Sequence, residues 1–263
     1  HNGKCLLEKG SSIRPNFWRA GTDNDFGAEL QNRYAIWKNP SFRLESLNYD
    51  IEDGMAYVRA AYTIEETGAG LTMEYAVNNA GALKITQKMT AGERKDIPEM
   101  FRFGIRFEMP KSYNTLEFYG RGPFENYYDR QHAALVGLYR QSVEEQFYPY
   151  IRPQETGTKA GLRWWEILNV SGNGLHFSSD AEFSASALEY SIETLDDGTK
   201  KDNRHPADLV KNGSTNICVD KVQMGLGCID SWGGMPLEQY RLPYGNYEAV
   251  FVITPVSHRF DMR

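Results

Sequence analysis

Between residues 55 and 90 apolar and polar side chains alternate in three short runs. These are Met55-Ala-Tyr-Val-Arg-Ala-Ala-Tyr-Thr-Ile64, Leu71-Thr-Met-Glu-Tyr-Ala-Val77 and Ala82-Leu-Lys-Ile-Thr-Gln-Lys-Met-Thr90, divided by Gly and Asn turn signals. A period of two, broken every 10 to 12 residues or so, predicts an antiparallel meander. The run Phe101-Arg-Phe-Gly-Ile-Arg-Phe-Glu-Met109 places Phe101, Phe103, Ile105, Phe107 and Met109 on one face, so this strand should back onto a core. Further strand-like runs lie at 115–119, 163–170, 175–177, 183–190, 220–225 and 247–254. Helical pattern is scarce and limited to 28–37 and 206–211, while Asp196-Asp197-Gly198 with Lys200, Lys201 and Asp202 reads as a solvated turn. No linker composition or internal repeat breaks the chain. The pattern predicts an all-β sandwich of two sheets, with residues 1–263 forming a single domain.

Composition narrows the function. Hydrophobic residues make up 41% of the 263 and charged residues 24%, enough apolar material for a core and too little charge for disorder. Twenty-nine Lys and Arg against 35 Asp and Glu give a net charge of −6, without the basic surplus that nucleic acid or an anionic lipid surface demands. The longest apolar stretch, near 249–256, is interrupted by Thr254 and Pro255 and falls far short of the ~20 residues of a membrane span. Neither nucleic acid nor a membrane is therefore expected as a partner. Sixteen Tyr, 13 Phe and 5 Trp are many rings, and tyrosine suits wet, polar binding surfaces such as those for sugars. Cys5, Cys218 and Cys228 are too few and too scattered for a disulfide framework or a zinc cluster. The chain starts at His1 with neither a basic nor an apolar leader segment, which reads as a fragment of something longer. The cellular compartment is left open between cytoplasm and periplasm.

Four aromatic and polar blocks interrupt the strands. The first, Arg14-Pro-Asn-Phe-Trp-Arg-Ala-Gly-Thr-Asp-Asn-Asp-Phe-Gly27, reads either as a rigid polar loop or as turn side chains capping a helix that starts near Ala28. A calcium loop is excluded, because Tyr34 stands where the bidentate Glu would be. The second, Tyr119-Gly-Arg-Gly-Pro-Phe-Glu-Asn-Tyr-Tyr-Asp-Arg130, is a turn whose Arg121, Glu125, Asp129 and Arg130 suit structural ion pairs. In the third, residues 148–165, Arg152, Glu155, Lys159 and Arg163 are interleaved with rings. That mixture fits either a sugar or a buried ion-pair network. The fourth, Met224-Gly-Leu-Gly-Cys-Ile-Asp-Ser-Trp-Gly-Gly234, brackets Trp232 with glycines and so should project it from the fold. His132, His176, His205 and His258 are isolated, and no Ser-His-Asp or phosphate-loop signature is present.

Taken in this order, the four blocks resemble the C-terminal, small-chain region (domain 5) of family-2 β-galactosidases. The carrying segments are Asn16-Phe-Trp-Arg-Ala-Gly-Thr-Asp-Asn-Asp-Phe-Gly27, Gly120-x-Gly-Pro-x-Glu-Asn-Tyr-x-Asp-Arg130, Pro149-Tyr-x-x-Pro-x-Glu-x-Gly157 and Gly225-x-Gly-x-x-Asp-Ser-Trp232. The first departs from the family at Gly21, where proline is usual. The resemblance runs from about residue 3 to 255. It implies a galactose-mutarotase-like supersandwich of two large antiparallel sheets, lacking the strands that precede residue 1 in the family.

The resemblance also implies a function. Retaining hydrolysis of a terminal β-D-galactoside needs two carboxylates about 5 Å apart. In the family both are glutamates of a TIM barrel, and no βαβ alternation here could supply one. This segment would hold no catalytic residue and no metal site, and would complete the rim of the active site in the larger enzyme. Trp232 and Asp230 would meet the sugar, with the Asp23-Asn24-Asp25-Phe26-Gly27 loop at the same rim and Gly27 as its hinge. Glu125, Arg152 and Glu155 would offer a second carbohydrate face. The implied partners are the galactoside, the remaining domains including the barrel, and further copies in a homo-oligomer. No cofactor is expected in this segment, although the whole enzyme could use a divalent or monovalent cation. Two alternatives stay open: an independent aldose 1-epimerase, which would need a Glu base and a His acid, or a free-standing carbohydrate-binding module.

Overall fold

The computed structural model describes residue 3, residues 5–227 and residues 229–258; His1 and Cys228 lie outside the described residues. In chain order the strands are β1 (Arg14–Asn16), β2 (Phe42–Glu52), β3 (Met55–Ile64), β4 (Ala69–Val77), β5 (Leu83–Thr90), β6 (Arg102–Pro110) and β7 (Tyr113–Gly122). They continue with β8 (Leu135–Ser142), β9 (Lys159–Leu162), β10 (Trp164–Asn169), β11 (Asn173–Ser179), β12 (Phe183–Leu188), β13 (Ser214–Gln223) and β14 (Tyr247–Ser257). Short helices are α1 (Asp23–Gly27), α2 (Leu30–Arg33) and α3 (Ile192–Leu195).

These strands make two antiparallel sheets, one of five in the order β1-β6-β13-β12-β9 and one of nine in the order β2-β3-β4-β5-β14-β11-β10-β7-β8. The alternation in β6 explains how the sheets meet. Phe101, Phe103, Ile105, Phe107 and Met109 are all buried on the face the pattern predicts. Phe107 stacks on Phe177 of β11 at 6.1 Å between ring centres, and Phe103 meets Tyr247 of β14 at 5.4 Å. Each such ring contributes about 1.5–3 kcal/mol by leaving water, so the β6 face is the adhesive between the two layers.

The meander predicted at 55–90 is present as β3, β4 and β5, paired in register. Four strands were not apparent in the sequence: β1, β2, β8 and β9. Two of these, β2 and β8, are the edges of the large sheet, and all eleven residues of β2 are exposed. Charged residues interleave with Leu44, Leu47 and Tyr49, and a register shift between Leu44 and Ser46 breaks the alternation. Edge strands need only one bonded neighbour and tolerate this irregularity.

The helical expectations need correction. Segment 28–37 is not one helix but α2 followed by a 3₁₀ turn at Ala35–Trp37, and 206–211 shrinks to the 3₁₀ turn Pro206–Asp208. Residues 23–27, read as a rigid polar loop or as the cap of a helix starting near Ala28, are themselves helical, with Thr22 as the N-cap. The turn at 196–202 is not merely solvated, because the Asp196 and Asp197 carboxylates are only 2% and 0% exposed. Asp196 accepts from Trp18 Nε1 at 2.6 Å, and Asp197 pairs with Arg152 and Arg204. Among the described residues no helix is long and apolar enough to cross a membrane.

Candidate functional site

Hydrogen bonds and ion pairs, many from buried polar side chains, link all four blocks to one another. Arg19, three residues beyond β1, is fully buried and clasps Asp25 through Nε and Nη2 at 3.0 and 2.7 Å. Its Nη1 donates to the Met224 carbonyl at 2.6 Å and Nη2 to the Gly225 carbonyl at 3.1 Å, tying the first block to the fourth. Helix α1 starts with a capping box: Thr22 Oγ1 accepts from the Asp25 amide and Asp25 Oδ2 from the Thr22 amide.

The other blocks are tied in the same way. Asp129 of the second block accepts from the amides of Leu226 and Gly227 at 3.0 and 2.9 Å, so it holds backbone, where an ion pair was expected. Glu125 joins the second block to the third: it pairs with Arg130 at 2.6 Å and accepts from Thr156 Oγ1, the Gly157 amide and the Tyr150 hydroxyl. Glu155 pairs with Arg102 at 2.9 Å and accepts from Thr158 Oγ1, while its amide donates to the Ala20 carbonyl.

The loop that carries Trp232 rests on this scaffold. Gly227 and Gly233 adopt φ of +87° and +130°, conformations that favour glycine. Asp230 Oδ1 accepts from the amides of Trp232 and Gly234 at 3.0 and 2.8 Å. The loop is also bound to α1, because Ser231 Oγ donates to Asn24 Oδ1 at 2.9 Å and Asn24 Nδ2 donates to the Leu226 carbonyl at 3.0 Å. The result is an indole 82% exposed on a turn fixed at both sides. Trp18, by contrast, is a core ring, 3% exposed.

The candidate residues thus divide into two groups. Trp232 projects; Asp23 and Asn24 line a cleft of about 200 Å³ with Thr22, Arg130, Tyr150, Gln154, Glu155 and Leu226. Burial pulls Asp23 up, yet Lys201 and Arg152 hold it below the ordinary carboxylate value. Asp25 is not a surface group: it is 2% exposed and spent on Arg19. Gly27 packs directly on the Trp232 loop, since a Cβ there would stand 2.0 Å from the Ser231 carbonyl oxygen. Glu125, Arg152 and Glu155 are mostly buried and bonded to internal partners, with Arg152 bridging Asp23 and Asp197 and lying 4.7 Å from the Phe26 ring.

Sequence reasoning missed the charges under the site. Arg102 and Asp220, on β6 and β13, look like solvent-face residues of alternating strands but are each 1% exposed and 3.2 Å apart. Burial pushes the Asp220 carboxyl up to about 7 against the pull of Arg102. Burial likewise lowers the Lys159 ammonium to about 8, where it donates to Gln146 Oε1 at 2.7 Å. His176 and His258, isolated in sequence, both contact Glu166 at 2.8 Å. Among the described residues no three His, Cys, Asp or Glu side chains gather as a metal ion would need.

Comparison with known proteins adds a family. A model described as "Beta galactosidase small chain" matches residues 1–253. The β-galactosidase of Priestia megaterium is 34% identical over 253 residues, which are 94% of this chain and 23% of that protein. That of Lactobacillus delbrueckii subsp. bulgaricus is 34% identical over 221 residues, 82% of this chain and 21% of that protein. The chain spans less than a quarter of the length of these two relatives. Among solved structures, galactose 1-epimerase from Lactobacillus acidophilus superposes with a TM-score of 0.44 at 6% identity, over 81% of this chain and 67% of that one. A GH36 alpha-galactosidase from Geobacillus stearothermophilus gives 0.42 at 9% identity, over 98% of this chain and 29% of that one.

Proposed function

The chain belongs to the β-galactosidase small-chain family, and from that premise we propose that it serves a family-2 β-galactosidase as the part that completes the mouth of the active site. Hydrolysis of a terminal β-D-galactoside takes place in the whole enzyme, on a paired acid/base and nucleophile supplied by a barrel elsewhere in that protein. This segment contributes binding and shape. The observation that carries the reading is Trp232, an indole left 82% exposed on a loop that Asp230 and Asn24 hold in place. An indole held in a fixed, exposed position offers an aromatic face on which the C–H face of a sugar can stack.

Asp23 and Asn24 line the cleft beside the loop and offer polar atoms to hydroxyl groups. Asp230, Asp25 and Gly27 act on the loop and helix that shape the rim, without touching the ligand themselves. Alone, the segment hydrolyses nothing, since Glu125 and Glu155 are occupied as structural acceptors. Kinetics of Trp232→Ala in the full-length enzyme test the reading: KM for a galactoside rises while the melting temperature holds. An unchanged KM would overturn it.

A further inference from the structure

A second cleft, of about 560 Å³, opens next to the one described above and is lined by Phe124, Tyr148, Tyr150, Glu125, Arg130 and His132 among others. Its volume lies within the roughly 300–1,000 Å³ of small-molecule sites. We propose that this cleft binds the distal sugar units of an oligosaccharide substrate, on the leaving-group side of the bond cut in the whole enzyme; this rests on the rim function proposed above.

Three observations carry the proposal. Phe124 and Tyr148 are 53% and 58% exposed, and Tyr148 leans on Tyr150 with ring centres 4.7 Å apart, so the rings form a supported apolar wall open to solvent. The charged groups facing the cleft are already paired or bonded: Glu125 with Arg130 at 2.6 Å, Asp129 with two backbone amides. The three groups sum to one negative charge and are spent on internal partners, which disfavours an anionic ligand, whereas a neutral polyhydroxylated one finds C–H-stacking surface and fixed donors and acceptors. Finally, Arg130 and Tyr150 line both clefts, and the smaller one reaches Asn24 and Leu226, which hold the Trp232 loop. An extended saccharide would run from Trp232 along this path to Tyr148.

The test compares KM for a galacto-tetrasaccharide and for a chromogenic aryl galactoside in the full-length enzyme. Tyr148→Ala and Phe124→Ala, both at exposed positions outside the core, are expected to raise KM for the tetrasaccharide at least about fivefold more than for the aryl galactoside, the scale of a lost aromatic anchor. Tyr148→Phe, which keeps the ring, should restore most of that loss. Equal changes for both substrates, or no change for either, would overturn the distal site. Trp232→Ala run in parallel separates the two ideas: a KM rise for both substrates there, with no selective effect at Tyr148, keeps the rim reading and removes the distal site. No effect of Trp232→Ala removes the rim reading, and the selectivity at Tyr148 then decides the cleft on its own.

Discussion

A Cβ added to Gly27 would stand 2.0 Å from the carbonyl oxygen of Ser231. The last residue of α1 therefore touches the backbone of the loop that presents Trp232, 204 positions along the chain by residue number (231 − 27). Such proximity leaves no room for any side chain, and the contact is reinforced by the hydrogen bond from Ser231 to Asn24. Gly27→Ala should push the loop away at an overpacking cost of about 1–3 kcal/mol. The expected outcome is a lower melting temperature together with a raised KM in the full-length enzyme; an unchanged KM would show that the loop position does not matter to substrate.

Two tryptophans of the four blocks, Trp18 and Trp232, should fail differently. Trp232→Ala is expected to cost ~2 kcal/mol of binding, a loss of about 30-fold, expressed mainly in KM because a stacking platform holds ground and transition states alike. Trp18→Ala removes a core ring and its bond to Asp196, and should lower stability by about 3–5 kcal/mol. Melting curves and steady-state kinetics on both variants check the contrast.

Arg102 pairs with both Asp220 and Glu155 inside the protein. Arg102→Met would strand two buried carboxylates, at a cost of about 3–5 kcal/mol. Denaturant titration should show that loss, and a shift within 1 kcal/mol or so would mean that water reaches the cluster.

Lys159 predicts a pH dependence. Burial lowers its folded-state pKa from 10.5 to about 8, so between those values the unfolded chain binds more protons than the folded one. Stability contributed by this group therefore rises with pH through that window, by roughly 3 kcal/mol in full. The wild type should gain on Lys159→Met as pH goes from 7.5 to about 10. Parallel stability curves for the two proteins would refute this assignment.

The strand runs and the core face of β6 were legible in the sequence because they depend on neighbours two residues apart, and burial of one face follows from that alternation wherever the strand goes. The projecting position of Trp232 was legible too, since its flanking glycines and Asp230 act within a few residues. Tertiary structure alone decided what the charged residues of the blocks do. Arg19 finds the Met224 carbonyl 205 residues away, Asn24 meets Ser231 across 207, and Arg102 reaches Asp220 across 118. A lone Asp or Glu reads the same whether it will face a ligand or a buried guanidinium. The choice is made when sheet topology brings loops together, because a buried charge must take whichever partner lies within hydrogen-bond reach. That is why Asp25, Glu125 and Glu155 turned inward while Trp232, which needs no such partner, stayed outside.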